Sequence, residues 1–172
     1  MKHAIALVLA MSAGLALAQG KGPSDPQIAH IVVTANQIDI DAGKLAQSKS
    51  KNKEVQAFGK QMVTDHGAVN KQAGDLVKKL GVKPVDNETS ASLKKGASEN
   101  MAKLNKLSGS AFDKAYVDHE VAYHQQVLDA IDKVLIPSAQ NAELKGLIQK
   151  VRPAIQAHLD HAKQLQGSLG KK

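Results

Sequence analysis

The chain has no cysteine and no tryptophan, and only two phenylalanines and two tyrosines among its 172 residues. Without cysteine there is no disulfide, no thiolate metal ligand, no cysteine nucleophile and no N-terminal lipid carried on cysteine. Aromatic residues make up 2% of the chain, so it lacks the stacking side chains with which proteins bind single-stranded nucleic acid. We therefore expect neither a disulfide scaffold nor a nucleic-acid-binding protein.

A long apolar run occurs only near the N-terminus, over residues 4–17. It is shorter than the ~20 residues that a membrane-spanning helix needs. It follows the charged Lys2 and leads into Ala16-Leu17-Ala18, which fits a small-x-small cleavage site. We predict that residues 1–18 are a signal peptide cleaved near Ala18, that residues 19–24 form a short N-terminal segment, and that the mature protein is periplasmic or secreted without a transmembrane span.

Basic residues outnumber acidic ones, and the formal net charge is +7. Such an excess favours weak contact with anionic surfaces of the cell envelope. The alternative is a lysine-rich helical surface that is simply solvated, because net charge governs solubility and non-specific binding. Charge alone therefore identifies no binding site.

Apolar residues recur every three or four positions after the leader, and runs of β-branched residues are missing, which predicts an all-α protein. The predicted helices run from about Asp25 to Ser50, from Asn52 to Leu80, from Thr89 to Leu107, from Ser110 to Ile136 and from Asn141 to Gln166, the last with a kink at Pro153. Short turns pair the first two and the last two as hairpins, and the weaker third helix is a crossover. We predict one ferritin-like antiparallel four-helix bundle over residues 25–166, followed by a basic tail at 167–172.

Each long helix also carries a polar residue where its apolar stripe requires an apolar one. Burying such a group without a partner costs on the order of 1–3 kcal/mol, so these positions need an explanation. They are Asp39 on the first helix, His66 on the second, Glu120 and His124 on the fourth, and His158 on the last. Counted from the predicted turns at ~1.5 Å per residue, all of them lie within about one or two turns of the middle of the bundle. We therefore predict that they can share one layer.

Four blocks of the sequence carry a family resemblance: residues 39–46 (DIDAGKLA), 58–66 (FGKQMVTDH), 111–117 (AFDKAYV) and 153–159 (PAIQAHL). In these blocks the chain resembles the bacterial exported ferritin-like family called domain of unknown function four-one-four-two, over roughly residues 25–165. The resemblance implies a ferritin-like bundle in the envelope with a stress-related role. It also implies an acidic position at Asp39, the Asp65-His66 pair, a histidine at His124 and a histidine at His158. Relatives usually carry Glu where this chain has the shorter Asp39.

The polar positions have two main interpretations. They can hold a metal ion, and a donor set rich in imidazole suits zinc, copper or a single iron better than an oxygen-bridged di-iron centre. The Glu-x-x-His pairs of di-metal bundles are absent from these positions. Weaker candidate ligands are Met62, Asp65, Asp113 and His161. Alternatively, the same groups form a buried hydrogen-bonded network that fixes helix register, or they border a small-molecule pocket.

No motif for hydrolysis or group transfer is present: the sequence has no phosphate-binding glycine loop, no nucleophile elbow and no metalloprotease helix motif. The sequence therefore favours a protein that is not an enzyme. The principal hypothesis is a structural or stress-related interaction protein of the envelope. The alternative is a metal-binding ferritin-like protein with a His/carboxylate site in mid-bundle.

Overall fold

A computed structural model describes residues 22–170, and these residues are helical with no β-strand among them. The elements are α1 (Asp25–Lys49), α2 (Lys53–Leu80), α3 (Glu88–Asn105), α4 (Gly109–Ala130), a π-helical segment (Ile131–Leu135), α5 (Ile136–Ser138) and α6 (Ala142–Leu169). The all-α prediction is confirmed. The predicted signal peptide lies outside the described residues.

The helix ends coincide closely with the capping residues in the sequence. Asn52 Oδ1 accepts a hydrogen bond from the Glu54 backbone N–H at 2.9 Å, and Asn141 caps α6 in the same way. Gly81 ends α2 with φ 64°, a left-handed conformation that glycine adopts without steric cost. The predicted boundaries of the first two helices are therefore correct to within a residue or two.

The helices pack in two main pairs. The most extensive contact joins α1 to α2, and the next joins α4 to α6. The backbones of α1 and α2 approach closely at Gly43 and Gly59: a Cβ atom added to Gly43 would lie 2.6 Å from the Gly59 carbonyl oxygen. Helix α3 packs mainly on α1 and touches α4, with only Ser90 and Leu104 buried.

Two apolar clusters form the core. The first cluster comprises Ala42, Ala46, Val55, Phe58, Met62, Leu104, Phe112, Tyr116, Val117, Ala162 and Leu165. The second comprises Ile28, Ile31, Leu128, Ile131, Leu135, Ala139, Leu144, Ile148, Ile155 and Leu159. Along α4, the buried polar residues Glu120 and His124 fall between Val117 of the first cluster and Leu128 of the second. On α1 the order is reversed, with Asn36 and Asp39 between Ile31 of the second cluster and Ala42 of the first, so polar groups separate the two apolar halves of the core.

Two features differ from the prediction. The fourth helix does not run as one α-helix to Ile136, because the π-helical segment interrupts it at Ile131–Leu135. Helix α6 extends to Leu169, which is beyond the predicted boundary at Gln166 and takes in the start of the predicted tail.

Pro153 lies inside α6, which continues on both sides of it. Within residues 22–170, none of the helices combines the length and apolar character needed to cross a bilayer.

Candidate metal-binding site

The five polar residues singled out on the helix stripes are all buried. At most 3% of each is exposed, and Glu120 and His124 are fully buried. We call this set the polar layer: Asp39 from α1, His66 from α2, Glu120 and His124 from α4, and His158 from α6. Helices from both packed pairs therefore contribute to one place in the core.

Three imidazole rings meet at the centre of the polar layer. The ring centroids of His66 and His158 are 5.1 Å apart, those of His124 and His158 are 5.5 Å apart, and those of His66 and His124 are 5.7 Å apart. Each ring offers a nitrogen such that the three nitrogens lie within 4.8 Å of one another. These distances show that the three histidine rings are grouped around a common point in the core.

The orientation of His66 is set by Asn36, which lies one turn before Asp39 on α1. The Asn36 amide nitrogen donates to the Val32 carbonyl at 2.8 Å, which turns its oxygen towards His66. That oxygen lies 2.6 Å from His66 Nδ1 and can only accept, so Nδ1 carries the proton. The remaining nitrogen, Nε2, therefore presents a lone pair.

The other two rings are fixed by the same logic. His124 Nδ1 lies 2.9 Å from the backbone carbonyl of Glu120, and His158 Nε2 lies 2.9 Å from the Asp65 carboxylate. Both partners accept, so each ring donates outward and keeps a lone pair on its second nitrogen. Those nitrogens, His124 Nε2 and His158 Nδ1, are buried and have no hydrogen-bond partner among the described protein groups, as is also true of His66 Nε2.

Two carboxyl groups complete the layer. Asp39 Oδ2 lies 3.5 Å from His66 Nε2, and Glu120 Oε2 lies 3.5 Å from His124 Nδ1. Asp39, Glu120 and His124 form a second set whose ligand atoms lie within 4.8 Å of one another. Asp39 Oδ1 and both Glu120 carboxyl oxygens have no partner among the described protein groups. His124 thus belongs to both sets and links the imidazole side to the carboxylate side.

Burial disfavours the charged forms of the histidine and carboxyl groups in the polar layer. It lowers the pKa of His66 to about 2 and that of His124 to about 4, and it also lowers the pKa of His158. It raises the pKa of both Asp39 and Glu120 well above their ordinary values. The imidazoles are therefore unprotonated lone-pair donors, the form in which histidine binds metals.

The weaker candidates lie elsewhere. Met62 is packed in the first apolar cluster, and Asp113 accepts a hydrogen bond from Ser50 Oγ at 2.5 Å near the turn between α1 and α2. His161 is exposed and pairs with a glutamine of α2. Asp65 contacts the polar layer only from outside, through His158. Sequence reasoning missed Asn36, whose signal was an amide on the buried stripe of α1 three residues before Asp39.

Comparison with known proteins gives a fold and a family but no activity. No curated protein matches the chain. The crystal structure of a secreted DUF305 protein from Streptomyces coelicolor matches with a TM-score of 0.69 over 84% of this chain and 92% of that chain, at 10% sequence identity. At that identity the likeness shows a shared fold. The family model described as Domain of unknown function (DUF4142) matches residues 10–165, so the chain belongs to this family, as its four sequence blocks predicted.

Proposed function

We propose that this protein is an exported ferritin-like four-helix-bundle protein that binds one transition-metal ion in the polar layer. The pairing of α1 with α2 and of α4 with α6 supports the bundle, with α3 as the crossover. The observation that carries the metal proposal is a cluster of three buried histidines that bring ligand nitrogens within 4.8 Å of one another, together with one buried nitrogen on each ring that has no partner among the described protein groups.

The alternative of a hydrogen-bonded network fits these contacts less well. A network needs a donor for every acceptor, yet all three rings direct their N–H groups outward to Asn36, to a backbone carbonyl and to Asp65. The nitrogens that remain are acceptors only. A protonated Asp39 can serve His66 at 3.5 Å, but His124 Nε2 and His158 Nδ1 have no donor among the described side chains. A cation satisfies all three lone pairs together.

The outward hydrogen bonds have the form that metal-binding histidines adopt in proteins. A ligating histidine donates its other ring N–H to a carboxylate or carbonyl, which fixes the tautomer and aims the ring. His66, His124 and His158 would be the principal ligands. Asp39, which faces His66 Nε2, would supply a carboxylate oxygen, and Glu120 borders the same site.

The donor set limits the choice of ion. Imidazole with carboxylate suits zinc, copper or iron, whereas magnesium and calcium prefer sites built from oxygen alone. Binding converts the buried carboxyl groups to carboxylates, because the ion compensates the charge that burial otherwise disfavours. With an ion bound in this place, the protein would either carry the metal or use it in redox chemistry.

The proposal is tested by titrating metal-free protein with Zn²⁺, Cu²⁺ and Fe²⁺ in calorimetry, with thermal unfolding measured in parallel. We expect about one equivalent to bind and the midpoint of unfolding to rise, because an ion that binds only the folded state stabilises it. The double variant His66→Ala/His124→Ala should lose both effects.

The matched control is His161→Ala, which removes an exposed histidine from α6, the helix that also carries His158. It should bind the ion as the unmodified protein does. Absence of stoichiometric binding for all three ions would refute the proposal. Equal binding by the double variant would also refute it, because the ion would then lie elsewhere.

A further inference from the structure

A cavity of about 110 Å³ lies inside the second apolar cluster and reaches the polar layer. Its wall is overwhelmingly apolar and includes Ile31, Val127 and Ile148. The polar residues of the wall are Asn36, Asp39 and His66, which are buried, and Thr89 and Gln126, which are exposed. Two members of the polar layer thus also line a cavity that the proposed metal site does not use.

The π-helical segment forms part of this wall. Ile131 and Leu135, at its two ends, both line the cavity. A π-helical turn inserts an extra residue into a helix and is frequently found at functional sites. Proteins pack their interiors densely, so a cavity of this size costs stability. The widened helix and the cavity occur at the same place, next to the polar layer.

We propose that this cavity is a binding site for a small, neutral, apolar molecule, held beside His66 and Asp39. An apolar cavity of ~150 Å³ in another protein binds benzene or xenon, so a cavity of this volume fits molecules of that size or smaller. A neutral ligand is favoured over a charged one, because most of the wall is apolar and offers a charge little compensation for lost hydration. This site goes beyond the proposed metal binding and does not depend on it.

The experiment uses metal-free, full-length protein and xenon gas as the probe. Methyl and imidazole resonances are recorded by NMR at increasing xenon pressure. We expect saturable shifts at the methyl groups of Ile31, Val127 and Ile148 and at the ring of His66. The methyl groups of Val55, in the first apolar cluster, should not shift.

Two variants on α4 give a matched pair. Ala130 lines the cavity, and Ala130→Leu should fill it and reduce the xenon-dependent shifts at least several-fold. Ala122 is exposed on the same helix, and Ala122→Leu should leave the shifts unchanged. If Ala130→Leu does not fold, the pattern of shifts in the unmodified protein decides the matter alone.

Unsaturable shifts spread over the surface would overturn the proposal, as would shifts in Ala130→Leu equal to those of the unmodified protein. Since no metal is present, such a failure would leave the metal proposal untouched. Conversely, xenon binding in a protein that binds no metal would leave the cavity proposal standing by itself.

Discussion

Individual side chains outside the polar layer orient its histidine rings, which are the proposed metal ligands. Asn36 accepts from His66, and Asp65 accepts from His158. In metal proteins, loss of such a supporting partner typically lowers metal affinity about 10- to 100-fold. The ligands alone therefore do not define the site.

We predict that Asn36→Ala lowers the affinity for the bound ion about 10- to 100-fold without removing a ligand. His66 then loses the acceptor that fixes its tautomer, and its lone pair is no longer aimed at the ion. Competition titration against a chelator of known affinity measures the change. An unchanged affinity would show that Asn36 is only a packing residue.

Asp65 allows a conservative rescue. Asp65→Ala should weaken metal binding, because the His158 N–H loses its acceptor. Asp65→Asn should restore most of the affinity, since an amide oxygen can accept the same hydrogen bond. If both variants bind equally weakly, the charge of Asp65 matters rather than its role as an acceptor.

The residue scale also shows where sequence reasoning succeeds and fails. Asp39, His66, Glu120, His124 and His158 could be found because a polar residue on an apolar stripe stands out from its neighbours. The role of Asn36 could not be found, because it depends on which way a side-chain amide turns. Asp113 stands on its stripe as clearly as Glu120 does, but it lies near the start of α4, where it accepts a hydrogen bond from Ser50.

At the scale of helices, the close contact between α1 and α2 depends on two glycines. A Cβ atom at Gly59 would lie 2.7 Å from the Gly43 carbonyl oxygen, and the backbone cannot yield cheaply. We predict that Gly59→Ala lowers the free energy of unfolding by about 1–3 kcal/mol, as overpacked sites do. Gly67→Ala on the same helix meets no atom within 4 Å and should raise it by up to about 1 kcal/mol. Equal effects in urea unfolding would contradict this account of the contact.

Helix α3 is the least anchored of the long helices. It buries only Ser90 and Leu104, whereas α1 buries residues along its whole length. Amide hydrogens in weakly packed elements exchange through local opening at low free energy. We predict that α3 loses protection in hydrogen exchange well before α1 and α2. Equal protection of α3 and α1 would show that α3 belongs to the same cooperative unit.

Helix positions followed from caps and periodicity, because Asn52, Gly81 and Asn141 act through local chemistry that a sequence displays. The π-helical segment could not be predicted from the sequence. Residues 131–135 continue the ordinary helical pattern, and the insertion arises from tertiary packing. The end of α6 was predicted at Gln166, which is too early. The helix continues through Gly167 to Leu169, because no stop signal precedes Gly170.

For the whole molecule, burial of neutral imidazoles makes stability depend on pH. Burial lowers the pKa of His124 to about 4 in the folded protein, against about 6.5 in the unfolded chain. Between those values the unfolded chain binds a proton that the folded protein does not, so the free energy of unfolding falls as the pH falls.

We predict that this ring alone costs metal-free protein about 2 kcal/mol between pH 6.5 and pH 5. Urea unfolding of the unmodified protein and of His124→Gln at both pH values measures it. Asp39 and Glu120 are present in both proteins, so their opposite contribution cancels in the comparison. An identical loss of stability in the two proteins would contradict this account, because it would show that the pKa of His124 is the same in the folded protein and in the unfolded chain.

The fold class and family of the molecule were predictable because helical periodicity and the four blocks extend along most of the chain. The pKa shifts in the polar layer were not, because they depend on how completely the surrounding helices exclude water. The cavity was equally hidden, since its walls come from residues far apart in sequence.

The most direct test of the account is elemental analysis of the protein, expressed from its full sequence and purified without tag or chelator. We predict about one equivalent of zinc, copper or iron per chain, lost in His66→Ala/His124→Ala and kept in His161→Ala. A metal content near zero that persists after all three ions have been offered would contradict the account.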